Sequence, residues 1–304
     1  MKVGDISASD FAGQLASEGV AIRTGPFVFR LTSHLPSIAV PVQRLYRDFP
    51  LIEPDIVDFH LVLRPAGRFA RFTGRCEVMI DARRILSVFH STAALPHLEW
   101  ALNWWIYNYA HQFFIVHAAV VERGGQAILL CGPPGSGKST LCAALAARGW
   151  RLLSDEVALV SPDTLKISAT ARPISLKNES IEVIERFSPS AVFGPRALET
   201  HKGIVAHVAP PEPSVRHIDA NAYPCWILFP TYAADAATRL TPMPKARAFL
   251  RAAGDAFNYQ ILGAQAFRTL AAMIDRCGCF ELAYADLTEA LQVIEGLEPQ
   301  ADRA

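Results

Sequence analysis

The chain has 304 residues, 51% hydrophobic and 19% charged, enough apolar material to bury the core of one large domain or two ordinary ones. Lysine plus arginine and aspartate plus glutamate both count 29, so no net charge draws the protein toward nucleic acid or an anionic membrane. No N-terminal segment is built like a signal peptide, and the most apolar stretches, 113–121 and 222–230, are too short to span a bilayer. Of the six cysteines only Cys277 and Cys279 are close-spaced, with no second pair for a zinc site, so a reduced, cytoplasmic protein is expected.

Ser9–Glu18 predicts a first helix. Short strand-like runs follow at 27–31 and 57–63 with period-two alternation, and 68–72 and 76–80 continue the pattern. Leu95–Ala110 predicts a second helix carrying Trp100, Trp104, Trp105, Tyr107 and Tyr109. Aromatics at helical spacing usually face a core or another domain, and a nucleobase platform is the sharper alternative. Residues 1–110 thus read as a small α+β accessory domain. From Phe113 onward strands alternate with helices, so 111–304 reads as an α/β domain. Its first strand, 113–121, contains His117 and leads through a turn at 122–125 into the strand Gln126–Cys131. Farther on, 209–213 reads as a loop, 245–253 and 260–276 as helices, 280–284 as a strand and 287–297 as a closing helix.

The motif that decides the reading begins where Gln126–Cys131 ends. Gly132-Pro133-Pro134-Gly135-Ser136-Gly137-Lys138-Ser139-Thr140 fits the phosphate-binding pattern G-x-x-x-x-G-K-[ST] without mismatch. An alanine-rich helical run, Leu141–Arg148, follows and stops at Gly149. Strand, glycine loop and helix in that order argue against a chance glycine turn. Backbone N–H groups of the loop and the helix N-terminus would surround a triphosphate, with Gly132, Gly135, Ser136, Gly137 and Thr140 in the cradle. Pro133 and Pro134 donate no N–H, so the cradle must come from residues 135–140. Lys138 would reach the outer phosphates of ATP, and Ser139 would hold Mg²⁺.

Asp155 and Glu156 stand 17 and 18 positions after Lys138, at the end of the strand-like run Arg151–Ser154. Asp155 is expected at the carboxyl end of a strand beside the phosphate loop, where ligand sites of open α/β sheets form. A carboxylate there can bind Mg²⁺ or accept a proton from an attacking hydroxyl; the bland alternative is a solvated acidic turn. His117, in an otherwise apolar strand, either is a satisfied core residue or points at the phosphates. Arg172, Lys177 and Lys202 lie among turn residues, where they either bind substrate or are solvated loop charges.

Taken together these residues resemble a family. His117-Ala118, the phosphate loop and the segment Arg148-Gly149-Trp150-Arg151-Leu152-Leu153-Ser154-Asp155-Glu156 are similar to HPr kinase/phosphorylase, with its histidine-glycine strand and R-G-H-R-L-x-x-D-D segment. The closer resemblance is to the HprK-related kinase A group, through 117–123, the loop, 152–156, 172–178 and 202–207, and it extends to 23–27. It implies a P-loop kinase domain of the HPr kinase/phosphoenolpyruvate-carboxykinase type, preceded by the α+β domain. By position, Lys138 and Ser139 carry over as nucleotide and metal residues, Asp155 as the base and His117 as the phosphate-side histidine. Glu156 replaces a second aspartate as supporting acid and metal carboxylate. The signature that helps the true enzyme bind HPr, E-I-R-G-L-G, is absent. The expected reaction is therefore transfer of the γ-phosphoryl group of ATP to a serine of a peptide or small protein other than HPr. The resemblance points to a PqqD-like protein as partner and leaves homo-oligomerisation open. The alternatives are a kinase of a small-molecule hydroxyl such as free serine, and a nucleotide-dependent binding or switch module.

Overall fold

The computed structural model describes residues 1–297, apart from the side chains at positions 71 and 199. Its helices are α1 (Ala8–Ala16), α2 (Ala39–Leu45), α3 (Ala70–Thr73), α4 (Ala94–Tyr109), α5 (Lys138–Ala147), α6 (Glu179–Phe187), α7 (Glu212–Arg216), α8 (Lys245–Gly254), α9 (Tyr259–Leu262), α10 (Ala264–Arg276) and α11 (Leu287–Glu295). Its strands are β1 (Val20–Thr24), β2 (Phe27–Ser33), β3 (Leu51–Ile52), β4 (Phe59–Pro65), β5 (Arg75–Ile80), β6 (Arg83–Arg84), β7 (Phe89–His90), β8 (Phe114–Val116), β9 (Ala118–Arg123), β10 (Gln126–Cys131), β11 (Arg151–Ser154), β12 (Ala158–Val160), β13 (Ile167–Ser168), β14 (Ile174–Lys177), β15 (Ala197–Thr200), β16 (Gly203–Val208), β17 (Tyr223–Tyr232), β18 (Arg239–Pro242) and β19 (Gly278–Tyr284). This mixed α/β chain forms two compact units. The first joins Met1–Ile106 to Arg172–His217, and the second joins Tyr107–Ala171 to the residues from Ile218 onward. A single cut near 110 therefore does not describe the packing, because 172–217 returns to the first unit.

In the first unit the main sheet has the order β3-β1-β2-β4-β5-β6, with β7 also on β5. Phe27, Phe29 and Leu31 of β2 and Phe59, Leu61 and Leu63 of β4 point into the core, as their period-two spacing predicts. The parallel register sets Phe29 opposite Phe59, with ring centroids 5.8 Å apart. Trp105 of α4 lies against this face, 4.4 Å from Phe59 and 5.4 Å from Phe27. A smaller sheet, β14-β16-β15, comes from the returning segment. Its tie to the rest of the unit is polar and buried. Glu99 of α4 accepts a 2.6 Å hydrogen bond from Tyr46 Oη and a 2.9 Å ion pair from Arg172 Nη1, while Arg172 Nη2 donates to Asn103. The expected strand over 68–72 is instead a turn leading into α3. Gly67 and Gly74 bracket it with φ of 88° and 62°, and Phe69 and Phe72 are 66% and 85% exposed, so the alternation there marks no buried face.

The second unit carries the sheet β11-β9-β10-β17-β19-β18. β9 and β10 form an antiparallel hairpin, β11 is antiparallel to β9, and β17 and β19 run parallel to β10. The carboxyl ends of β10, β11, β17 and β19 therefore share one sheet edge with the amino end of β9. β9, β10 and β17 are buried on both faces, which explains their continuous apolar runs. α5 packs on β9 and β10, and α11 on β19. A second small sheet is β13-β12-β8. The expected strand 113–121 is divided at His117, whose N–H leaves the sheet and donates to the carbonyl of Asp255 at 2.8 Å. The expected helix 260–276 is divided at Gly263, where φ is 54°. Among the described residues no helix is long and apolar enough to cross a membrane, and no disulfide joins the cysteines.

Candidate active site at the glycine loop

β10 ends at Cys131, residues 132–137 form the loop, and α5 begins at Lys138. Gly137 is the N-cap residue with φ of 96°, a conformation that favours glycine, and a Cβ built there would overlap Tyr284 Oη. That phenol donates to the Gly137 carbonyl at 3.5 Å. Ser136 Oγ is buried and makes no hydrogen bond among the described residues. It is a polar group held inside the loop, of the kind a bound phosphate oxygen would satisfy. Lys138 is 7% exposed, and its ammonium donates to the carbonyls of Gly132 at 2.5 Å and Pro133 at 3.0 Å. Burial pulls its pKa down, while the charges of Asp255, Glu156 and Asp155 pull it up. A buried cation beside a glycine loop at a helix N-terminus, with carboxylates acting on it, suits a polyanion that brings its own counter-cation.

The acids sit where β11 stops. Ser154 Oγ accepts the N–H groups of Val157 at 3.1 Å and Glu156 at 3.4 Å, which turns the chain between β11 and β12 and leaves Asp155 6% exposed. The expectation that β11 lies beside the loop strand needs correction: antiparallel β9 intervenes between β11 and β10. That inserted strand is what brings His117 to the same edge. His117 Nε2 lies 3.4 Å from Glu156 Oε2, so the histidine is not a core residue but the partner of an acid.

Sequence reasoning missed Asp255. It caps α8, its carbonyl holds the His117 N–H, and its carboxylate accepts the N–H of Gly132. Burial pushes this carboxyl above the usual aspartate range, against the opposing effects of His117, Lys138, Arg251 and the Gly132 N–H. The turn that carries it is fixed by Asn258, which is fully buried, accepts the Ile115 N–H at 3.0 Å and donates to the Phe113 carbonyl at 2.8 Å. Phe257 in that turn stacks on Tyr107 at 3.8 Å, and its ring is 5.5 Å from that of His117. Only a Gly-Asp pair after a helix hinted at this turn, and such a pair signals a C-cap, not a site.

Ser139 and Thr140 occupy the first turn of α5 and are partly exposed. Lys138, Asp155, Glu156 and His117 gather at the edge described above. Arg172, Lys177 and Lys202 belong to the other compact unit. Arg172 is not a loop charge available to substrate: it is 6% exposed and engaged by Glu99 and Asn103. Lys202 Nζ lies 4.9 Å over the Trp100 ring, and the Lys177 N–H donates to Ser180 Oγ at 2.8 Å. Among the described residues no cluster of three or more histidine, cysteine, aspartate or glutamate side chains is arranged to hold a metal.

The family model that matches the chain is that of the SynChlorMet cassette protein ScmC, over residues 86–174, which is less than half the sequence; it is not the kinase group expected from the motifs. No curated protein matches. Among solved structures the chain is similar to the Hpr(Ser) kinase/phosphatase from Coxiella burnetii, at 12% identity over 59% of this chain and 90% of that one, with a TM-score of 0.25. A likeness that low decides nothing about this chain, whose candidate chemistry stands on its own loop and acids.

Proposed function

We propose that this protein is an HPr-kinase-like P-loop enzyme that transfers the γ-phosphoryl group of ATP to a serine hydroxyl of a peptide or small protein. The observation that carries the reading is the meeting of a G-x-x-x-x-G-K-S loop, a His–Glu pair and a buried aspartate at one sheet edge. The loop N–H groups of residues 135–140 and Lys138 hold the phosphates. Ser139 with Asp155 or Glu156 would hold Mg²⁺, which in such sites is bound by one or two carboxylates and completes its shell with water and phosphate oxygens. When bound it neutralises charge developing on the β- and γ-phosphates.

Asp155 takes the proton of the attacking hydroxyl, and Glu156 supports it by holding His117 toward the phosphates. A pure switch module needs no such base, so the acids favour transfer over binding alone. Arg172, held by Glu99 and Asn103 within its own unit, is not an acceptor-side cation. The absent HPr-recognition signature argues for a different acceptor, and a PqqD-like small protein is the partner we propose. The cassette name of the family model matched at 86–174 supports searching among products of neighbouring genes. A reducing, cytoplasmic setting is part of this proposal.

The test offers HPr, free serine and small proteins encoded beside the gene to the intact protein with labelled Mg-ATP. Label is expected in a serine of a neighbouring small protein. Efficient labelling of free serine alone would make it a small-molecule kinase, and no labelling of anything with native nucleotide binding would make it a switch. Lys138→Ala should lower the rate about a hundredfold, the scale of losing one transition-state charge contact.

A further inference from the structure

The glycine loop is flanked by two aromatic pairs, both within the second unit. On the side of β9 and β11, Phe257 stacks on Tyr107 next to His117. On the side of β17 and β19, Tyr232 and Tyr284 end their strands in register, with ring centroids 5.7 Å apart at 65°. Tyr284 is 2% exposed and touches Gly137 through its hydroxyl, so it has a structural task in the loop. Tyr232 is 51% exposed, so much of its ring faces solvent beyond its contact with Tyr284. β17 also reaches the start of the loop: the Pro230 carbonyl lies 3.9 Å from where a Gly132 Cβ would be.

We propose that Tyr232 is the stacking platform for the nucleobase of the bound nucleotide, with Tyr284 buttressing it and the loop together. The inference rests on the nucleotide reading above and assigns that site its base-binding end. The direction follows from charge. His117, Glu156 and Asp155 lie on the β9–β11 flank, so phosphoryl transfer belongs there and the terminal phosphate must face it. The nucleoside leaves the triphosphate from its other end, toward β17 and β19. Tyr232 stands one ring beyond a residue that touches the loop, and about half of it remains exposed. Phe257, beside the histidine, is then left for the acceptor. A π-face binds any base, so the subsite should favour nucleotides over inorganic polyphosphates more than it distinguishes adenine from guanine.

Calorimetry on the intact protein with Mg-ATP and with Mg-tripolyphosphate tests this. Native protein should bind ATP at least tenfold more tightly than tripolyphosphate. Tyr232→Ala should weaken ATP about tenfold, the usual scale for loss of one base–aromatic stack, and leave tripolyphosphate unchanged. Tyr232→Phe, which keeps the ring, should bind ATP as the native protein does. Phe257→Ala should keep native ATP affinity. The inference is overturned if Tyr232→Ala, shown to be folded by its circular dichroism, binds ATP with native affinity, or if Phe257→Ala is the variant that loses the ATP preference. Equal native affinities for ATP and tripolyphosphate would overturn it while leaving the loop reading intact. Failure of both ligands to bind native protein would remove the loop reading and this inference with it.

Discussion

At the scale of single residues the site is a contest between one buried ammonium and several carboxylates. Asp155, 6% exposed, is the most enclosed of the acids gathered at the site and is the base in the proposed reaction. Asp155→Asn keeps its size and removes its basicity. Nucleotide binding by calorimetry should persist while transfer falls roughly 10²-fold, the usual scale of acid–base assistance; native turnover would exclude Asp155 as base and as metal ligand. Asp255 makes a different prediction, in stability. Burial raises its folded pKa above the unfolded value of about 3.9. A raised pKa means the favourable contribution is fully present below the unfolded pKa and is lost as pH rises through the folded value. Asp255→Asn keeps an acceptor for the Gly132 N–H and carries no charge. Its melting temperature relative to the native protein should therefore climb as pH rises across that window, and it should be the more stable and less active form near neutrality. A difference in melting temperature that is flat from pH 3.5 to 7 would show that Lys138, His117 and Arg251 fully compensate the burial.

At the scale of elements, what the sequence disclosed and what it concealed have separate causes. Gln126–Cys131, the loop and the helix after it were legible because a local pattern sets local geometry. β2 and β4 were legible because one of their faces is buried. Residues 68–72 misled for the converse reason: Phe69 and Phe72, three positions apart, cover no core and flank a helical turn. His117 was legible as a candidate, but the break it makes between β8 and β9 was not, since its cause is a carbonyl at position 255. Nor could spacing reveal that β9 would insert between β10 and β11, because strand order is a long-range choice. Gly137 shows the local and the long-range combined. Its φ of 96° comes from the loop, and its lack of a side chain makes room for Tyr284, far along the chain. Gly137→Ala should cost about 1–2 kcal/mol for the left-handed backbone and more for the collision. Adding Tyr284→Phe removes the colliding oxygen but not the backbone cost. Urea unfolding of the two single variants and the double variant should therefore show partial rescue; strict additivity would mean that the phenol moves aside without cost.

At the scale of the whole molecule, the chain enters the first unit twice, and the second entry begins at Arg172. Deleting 1–108 would strip the returning segment of Glu99, Asn103 and Tyr46 and leave β14–β16 without the rest of their unit. Such a truncation tests folding, not acceptor docking, and docking must be measured on the intact chain. The tie itself is testable. Burial pushes the Glu99 carboxyl up, while Arg172 and the Tyr46 hydroxyl hold it down, and the Tyr46 phenol is pushed well above its usual range by burial and then by Glu99. Arg172→Met keeps most of the volume but removes the guanidinium, so Glu99 must either remain charged in an apolar site or bind a proton. Breaking a buried pair from one side costs about 3–5 kcal/mol. Glu99→Gln together with Arg172→Met removes both charges and should recover much of that loss. In chemical unfolding followed by tryptophan fluorescence, Arg172→Met should unfold at distinctly lower denaturant than the double variant. If the single variant is as stable as native protein, the returning segment is held by its apolar contacts alone and the buried ion pair is not what fastens residues 172–217 to their unit.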